Sequence, residues 1–139
     1  MKSLLIYFLW LLVISDAQQP GKADAATLIL YHEKEFYLHR GQGLEFTIND
    51  KDRVQLLPNR YTTLRVMPGR VKIYFGTDYL SAERSKTLWL TTQPGRTYYV
   101  KIAIDVDFMQ STLLMAPVAG EEARQELRRM KPQPMVPSN

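Results

Sequence analysis

The chain has no cysteine, so no disulfide framework and no thiolate metal site can be built from it. Only two of its 139 residues are histidine, and both lie near the N-terminal end, at His32 and His39. Imidazole-based acid–base chemistry therefore has few places to reside. None of Ser81, Ser85 and Ser111 sits in a Gly-x-Ser-x-Gly elbow, the turn that presents a serine nucleophile. Asp105 and Asp107 end an apolar run as a carboxylate pair, but no pattern supplies the cleft that glycoside hydrolysis needs between two acids. A basic stripe interleaved with exposed aromatics is missing as well, which argues against nucleic acid as a partner. These absences favour a protein that is not an enzyme and needs no cofactor.

One apolar run does stand out. Lys2 precedes Leu4 to Ile14, and Ser15-Asp16-Ala17 then places small residues where a signal peptidase reads them. At about eleven residues the run is short of the roughly 20 that span a bilayer. Residues 1–17 read as a signal peptide cleaved after Ala17, which predicts a soluble periplasmic or secreted product. The alternative is an uncleaved N-terminal membrane anchor. The net charge of +4 is unchanged by cleavage, because Lys2 and Asp16 leave together. A mild positive excess on an exported domain suits anionic surfaces, glycans or an acidic protein, and also serves plain solubility.

Residues 18–25 are polar and form a lead-in. From Ala26 onward short β-type runs alternate with turn signals. Thr27 to Tyr31 is a β-rich run with both faces covered. Leu44, Phe46 and Ile48 alternate with Glu45, Thr47 and Asn49, and Val54 and Leu56 resume the alternation after Asn49-Asp50-Lys51-Asp52, which predicts a hairpin over about Leu44 to Leu57. Leu64 and Val66 oppose Thr63 and Arg65. Val71, Ile73 and Phe75 oppose Lys72 and Tyr74. Tyr98, Val100, Ile102 and Ile104 form the most regular face, and Thr112 to Val118 reads as a last strand.

Met67-Pro68-Gly69-Arg70 and Gln93-Pro94-Gly95-Arg96 each combine the fixed φ of proline with a glycine that accepts positive φ. Each predicts a reversal between two antiparallel strands, with Arg70 and Arg96 as solvated turn residues. Gly120-Glu121-Glu122 opens a helix with acids at its positive end, Arg128, Arg129 and Lys131 close it, and Ala123, Leu127 and Met130 give it one apolar stripe. Pro132 stops it. The expectation is a mainly β, antiparallel β-sandwich of seven or eight strands over residues 26–131, with a C-terminal helix over 120–131 and a disordered or extended tail over 132–139. A partly open barrel is the alternative.

The order Phe46-Thr47-Ile48-Asn49-Asp50-Lys51, then Leu56-Leu57-Pro58-Asn59-Arg60-Tyr61, then Met67-Pro68-Gly69-Arg70, then Pro94-Gly95-Arg96-Thr97-Tyr98-Tyr99-Val100-Lys101 resembles a family of bacterial envelope and lipoprotein-like domains of unknown function. Its layout is similar to that of PEGA domains, small surface β-modules of the prealbumin or immunoglobulin-like type. The resemblance spans about Ala26 to Lys131 and implies a cell-envelope location. This chain departs from the pattern in three places. No glycine follows Asp50, Arg60 stands at the corner position usually held by glycine, and the lipid-acceptor cysteine is missing. No catalytic residues are implied.

Two groups of side chains carry possible chemistry. Tyr74 and Tyr99 fall opposite the apolar faces of their strands, with Lys72 and Lys101 beside them and Trp89 nearby in sequence, which suits a protein or polysaccharide contact surface unless the helix or the loop Gly76 to Lys86 covers them. His32, Glu35 and His39 are a metal-ligating set by residue type, but in a loop without a known ligand spacing. The reading is a binding domain whose partner is an envelope protein or polysaccharide. The alternative is a small exported metal-dependent enzyme using His32, Glu35 and His39.

Overall fold

The computed structural model describes residues 24–33, 43–76, 85–107 and 110–133. The leader-like segment, Glu35, His39 and the tail from 134 onward lie outside them, as does most of the loop Gly76 to Lys86. Among the described residues nine strands and one helix follow in the order β1 (Ala26–His32), β2 (Leu44–Ile48), β3 (Asp52–Leu56), β4 (Arg60–Val66), β5 (Gly69–Gly76), β6 (Ser85–Thr92), β7 (Thr97–Asp107), β8 (Gln110–Val118), α1 (Gly120–Leu127) and β9 (Lys131–Pro132). They form two packed sheets, β8-β7-β1-β4-β9 and β3-β2-β5-β6. The expected sandwich is the architecture found, and the partly open barrel is not. Among the described residues no helix is long and apolar enough to cross a membrane.

Strict alternation explains how the sheets meet. Leu28 and Leu30 of β1, Leu64 and Val66 of β4, and Val100 and Ile102 of β7 turn inward from the five-stranded sheet, against Phe46, Ile48, Val71, Ile73 and Phe75 of the other. Phe46 and Phe75 sit in register across β2 and β5, their ring centroids 5.3 Å apart at a 43° tilt. Such a pair adds about 0.5–1.5 kcal/mol beyond the area it buries. Within the sandwich two ladders are parallel, β1 with β7 and β4 with β9, while the rest are antiparallel.

The two Pro-Gly turns do not join paired strands. The first leads from β4 to β5 and the second from β6 to β7, so each carries the chain from one sheet to the other. A turn sequence encodes the reversal but not whether the next strand pairs beside the last or stacks across the core from it. The second turn has type II geometry, with Gly95 at φ 71° and Arg96 N–H donating to Gln93 O at 3.3 Å. It also binds the start of β1, since Gly95 N–H donates to Ala25 O and Thr27 N–H to Arg96 O. That link sets β1 and β7 side by side and parallel.

The predicted hairpin closes through Asn49 and Asp50, both left-handed at φ 52° and 58°, with Lys51 N–H donating to Ile48 O. This is a type I′ turn, and Asp50 takes the place where glycine is usual. The helix is shorter than expected. After Leu127 the bonding tightens, with Arg129 N–H donating to Glu126 O and Met130 N–H to Leu127 O. Lys131 and Pro132 then pair with Arg60 and Tyr61 as β9, so Lys131 is not helical and Pro132 belongs to the sheet.

Both open sides of the sandwich are stitched by side chains. On one side the Gln133 backbone N–H donates to Tyr61 O at 2.7 Å while its side-chain amide accepts from Leu57 N–H at 2.9 Å and donates to Gln55 O. One residue thus holds the edges of both sheets. On the other side Lys86 Nζ of β6 donates to Leu113 O of β8 at 2.6 Å, which shields an edge that would otherwise offer free backbone groups. Gln133→Ala is expected to lower the unfolding free energy by about 1–2 kcal/mol, read from the urea midpoint, because two backbone groups lose their partner together.

Candidate functional site

The four residues proposed from sequence as a contact surface, Tyr74, Lys72, Tyr99 and Lys101, do not share one. Lys72 and Tyr74 lie on the outer face of the four-stranded sheet, and Tyr99 and Lys101 on the outer face of the five-stranded sheet. The core separates the pairs.

Helix α1 covers the second pair. Ala123 is fully buried against the sheet, and Gly120 lies beside Tyr99, where a Cβ would make an ordinary van der Waals contact with the ring at 3.5 Å. Lys101 Nζ bridges two carboxylates, Glu33 at 2.6 Å and Glu126 of the helix at 3.0 Å. Beside it Tyr31, in register with Lys101 across β1 and β7, is fully buried although it faces away from the core. Its hydroxyl faces Glu126, and the phenol oxygen and Glu126 Oε2 are both buried without a hydrogen-bond partner among the described residues. Burial first, and then the Glu126 charge, push the Tyr31 phenol well above its ordinary range. Burial pulls the Lys101 ammonium the other way, but Glu33 and Glu126 outweigh it and its pKa is raised too. An open cleft beside this bridge is lined by Glu33, Asn59, Gln125, Glu126, Arg129 and Met130. Lys101 ties Glu126 of the helix to the sheet and to Glu33, so the cluster reads as the clamp that holds the helix down.

The first pair, half-buried like the second, shares its face with the exposed Trp89 and Arg70. Lys72 stands opposite Trp89 and Tyr74 opposite Thr87 and Thr47, so the two rings are diagonal neighbours with the ammonium near both. Lys72 Nζ lies 5.8 Å from the Tyr74 ring and 5.9 Å from the Trp89 ring, and Asp50 pins it at 2.9 Å. The type I′ turn sets that geometry, because Asn49 exchanges backbone and side-chain hydrogen bonds with the Lys72 backbone. Gly76 leaves room for Tyr74 to lie along the strand, since a Cβ there would meet ring carbons at 2.7 Å.

Arg70 is exposed, as expected of a solvated turn residue, and its guanidinium sits over the Trp89 ring at 4.3 Å, a cation–π contact, while Trp89 remains 49% exposed. Trp89, singled out among the aromatics of the sequence, sits within the apolar triplet Leu88-Trp89-Leu90. Strand phase identifies it, because Leu88 and Leu90 pack toward the core and the residue between them must point out.

His32 is 1% exposed, on the core side of β1, and Glu35 and His39 are outside the described residues. Among the described residues no three His, Cys, Asp or Glu side chains are grouped to hold a metal ion. No model of a protein family, no curated protein and no solved structure matches this chain.

Proposed function

We propose that this protein is an exported, non-enzymatic β-sandwich that works by binding, and that its contact surface is the outer face of the four-stranded sheet. The observation that carries the reading is Trp89, an indole with half its surface open on a rigid strand and flanked by Arg70 and Lys72. Large exposed aromatics beside cations are what contact surfaces are enriched in. Residues 1–17 support export, and the PEGA-like order of turns supports an envelope setting with an envelope protein or polysaccharide as partner.

The test is capture from a solubilised envelope fraction by the immobilised protein. Material retained by the wild type is expected to be largely lost with Trp89→Ala, and unaltered retention would overturn the assignment of this face.

A further inference from the structure

Resting on that reading, we infer that the ligand is an anionic polysaccharide, whose sugar rings lie on Trp89 and Tyr74 and whose acidic groups meet Arg70. The composition of the face is the first argument. Its outward positions on β5 and β6 are Arg70, Lys72, Tyr74, Thr87, Trp89 and Thr91, without one aliphatic side chain. The centre of a protein–protein interface is more apolar than the rest of the surface, whereas the outward positions of β5 and β6 carry two rings, two cations and two threonines. A sugar presents C–H faces that stack on aromatic rings and hydroxyls that exchange hydrogen bonds with threonines. Thr47 and Thr87 flank Tyr74 in register, and Thr91 stands opposite Arg70.

Charge accounting is the second argument. On this face Glu45 meets Arg53 at 3.8 Å and Asp50 meets Lys72 at 2.9 Å, which leaves Arg70 without an acidic partner among the described residues. Held over the indole, its guanidinium keeps N–H donors at its rim for a carboxylate or phosphate, which it grips in a forked geometry that lysine lacks. One spare cation beside two rings fits a polymer that is charged sparsely along a chain of sugars. A nucleic acid, with a charge on each nucleotide, would call for more neutralising cations along its path.

The experiment is titration of the protein from Gln18 onward, whose one indole is Trp89, with polygalacturonate, neutral dextran, poly-glutamate and oligothymidylate, followed by Trp89 emission. Polygalacturonate is expected to shift the emission and to bind at least tenfold more tightly than the other three. Arg70→Ala should weaken that binding about tenfold and remove most of its salt dependence. Trp89→Ala, followed by calorimetry, should abolish it, while Trp89→Tyr keeps part of it and Arg96→Ala, at the end of the sandwich, leaves it unchanged. Equal binding of dextran would contradict the role of Arg70. Equal binding of poly-glutamate would make the partner an acidic protein, and equal binding of oligothymidylate a nucleic acid. If none of the four binds but envelope capture still depends on Trp89, the polysaccharide is wrong and the binding face stands; if capture ignores Trp89, the face itself is wrong.

Discussion

Lys101→Met is expected to lower the unfolding free energy by about 2–3 kcal/mol, seen as a fall in the urea midpoint. The substitution keeps the length of the side chain and removes its charge. Glu33 and Glu126, now 2.6 Å and 3.0 Å from a single ammonium, would be left facing one another. Removing one member of a fully buried ion pair costs about 3–5 kcal/mol, and the smaller figure here allows for the partial exposure of all three side chains. The loss should be local before it is global. Helix α1 rests on the sheet through Ala123 and Gly120 and is tied by Glu126, so hydrogen exchange is expected to rise first over residues 120–127. A midpoint equal to that of the wild type would mean that the clamp contributes nothing and that packing alone holds the helix.

Stability is also expected to fall steeply in alkali. Both Tyr31 and Lys101 have raised pKa values in the folded protein, so the folded state holds these protons more tightly than the unfolded chain does. Their stabilising contribution is complete below the unfolded values, near pH 10 for both residue types, and is lost as pH rises through the folded values. In that window each group can remove up to about 1.4 kcal/mol per pH unit. The physical event at Tyr31 is a phenolate forming in a buried site against the Glu126 carboxylate. Urea midpoints from pH 8 to pH 12 measure the decline. Tyr31→Phe should flatten it, and an equally steep decline in that variant would place the alkaline weakness elsewhere.

The sequence was most legible where one face of a strand is buried and the other is not. Leu44, Phe46, Ile48 and Val71, Ile73, Phe75 could be assigned to the core because a shift of one residue would reverse every side chain. The Asn49-Asp50 turn was legible for a related reason, since few residues tolerate left-handed backbone. Beyond the β2–β3 hairpin, strand partners were not legible. Pro68-Gly69 and Pro94-Gly95 encode reversals, but hydrogen bonds with Ala25 and Thr27, far away in sequence, decide that the second turn sets β7 beside β1. The same limit applies to the surface. Tyr99 and Tyr74 have the same phase in their strands, yet one lies beneath the helix and the other does not, and Arg70 could be placed on Trp89 only once β5 and β6 were known to be neighbours. The end of the helix was missed because Arg128 and Arg129 satisfy helical charge preference, whereas the chain turns there to bring Lys131 and Gln133 onto β4.

The central claim is that the protein acts through the open aromatic and cationic face of its four-stranded sheet. Envelope capture tests it most directly, with wild type, Trp89→Ala and Lys101→Met immobilised in equal folded amounts. The account predicts that Trp89→Ala loses most of the retained material while Lys101→Met, altered on the opposite face, retains it as the wild type does. Retention lost with Lys101→Met and kept with Trp89→Ala would contradict it and move the function to the helix-covered side.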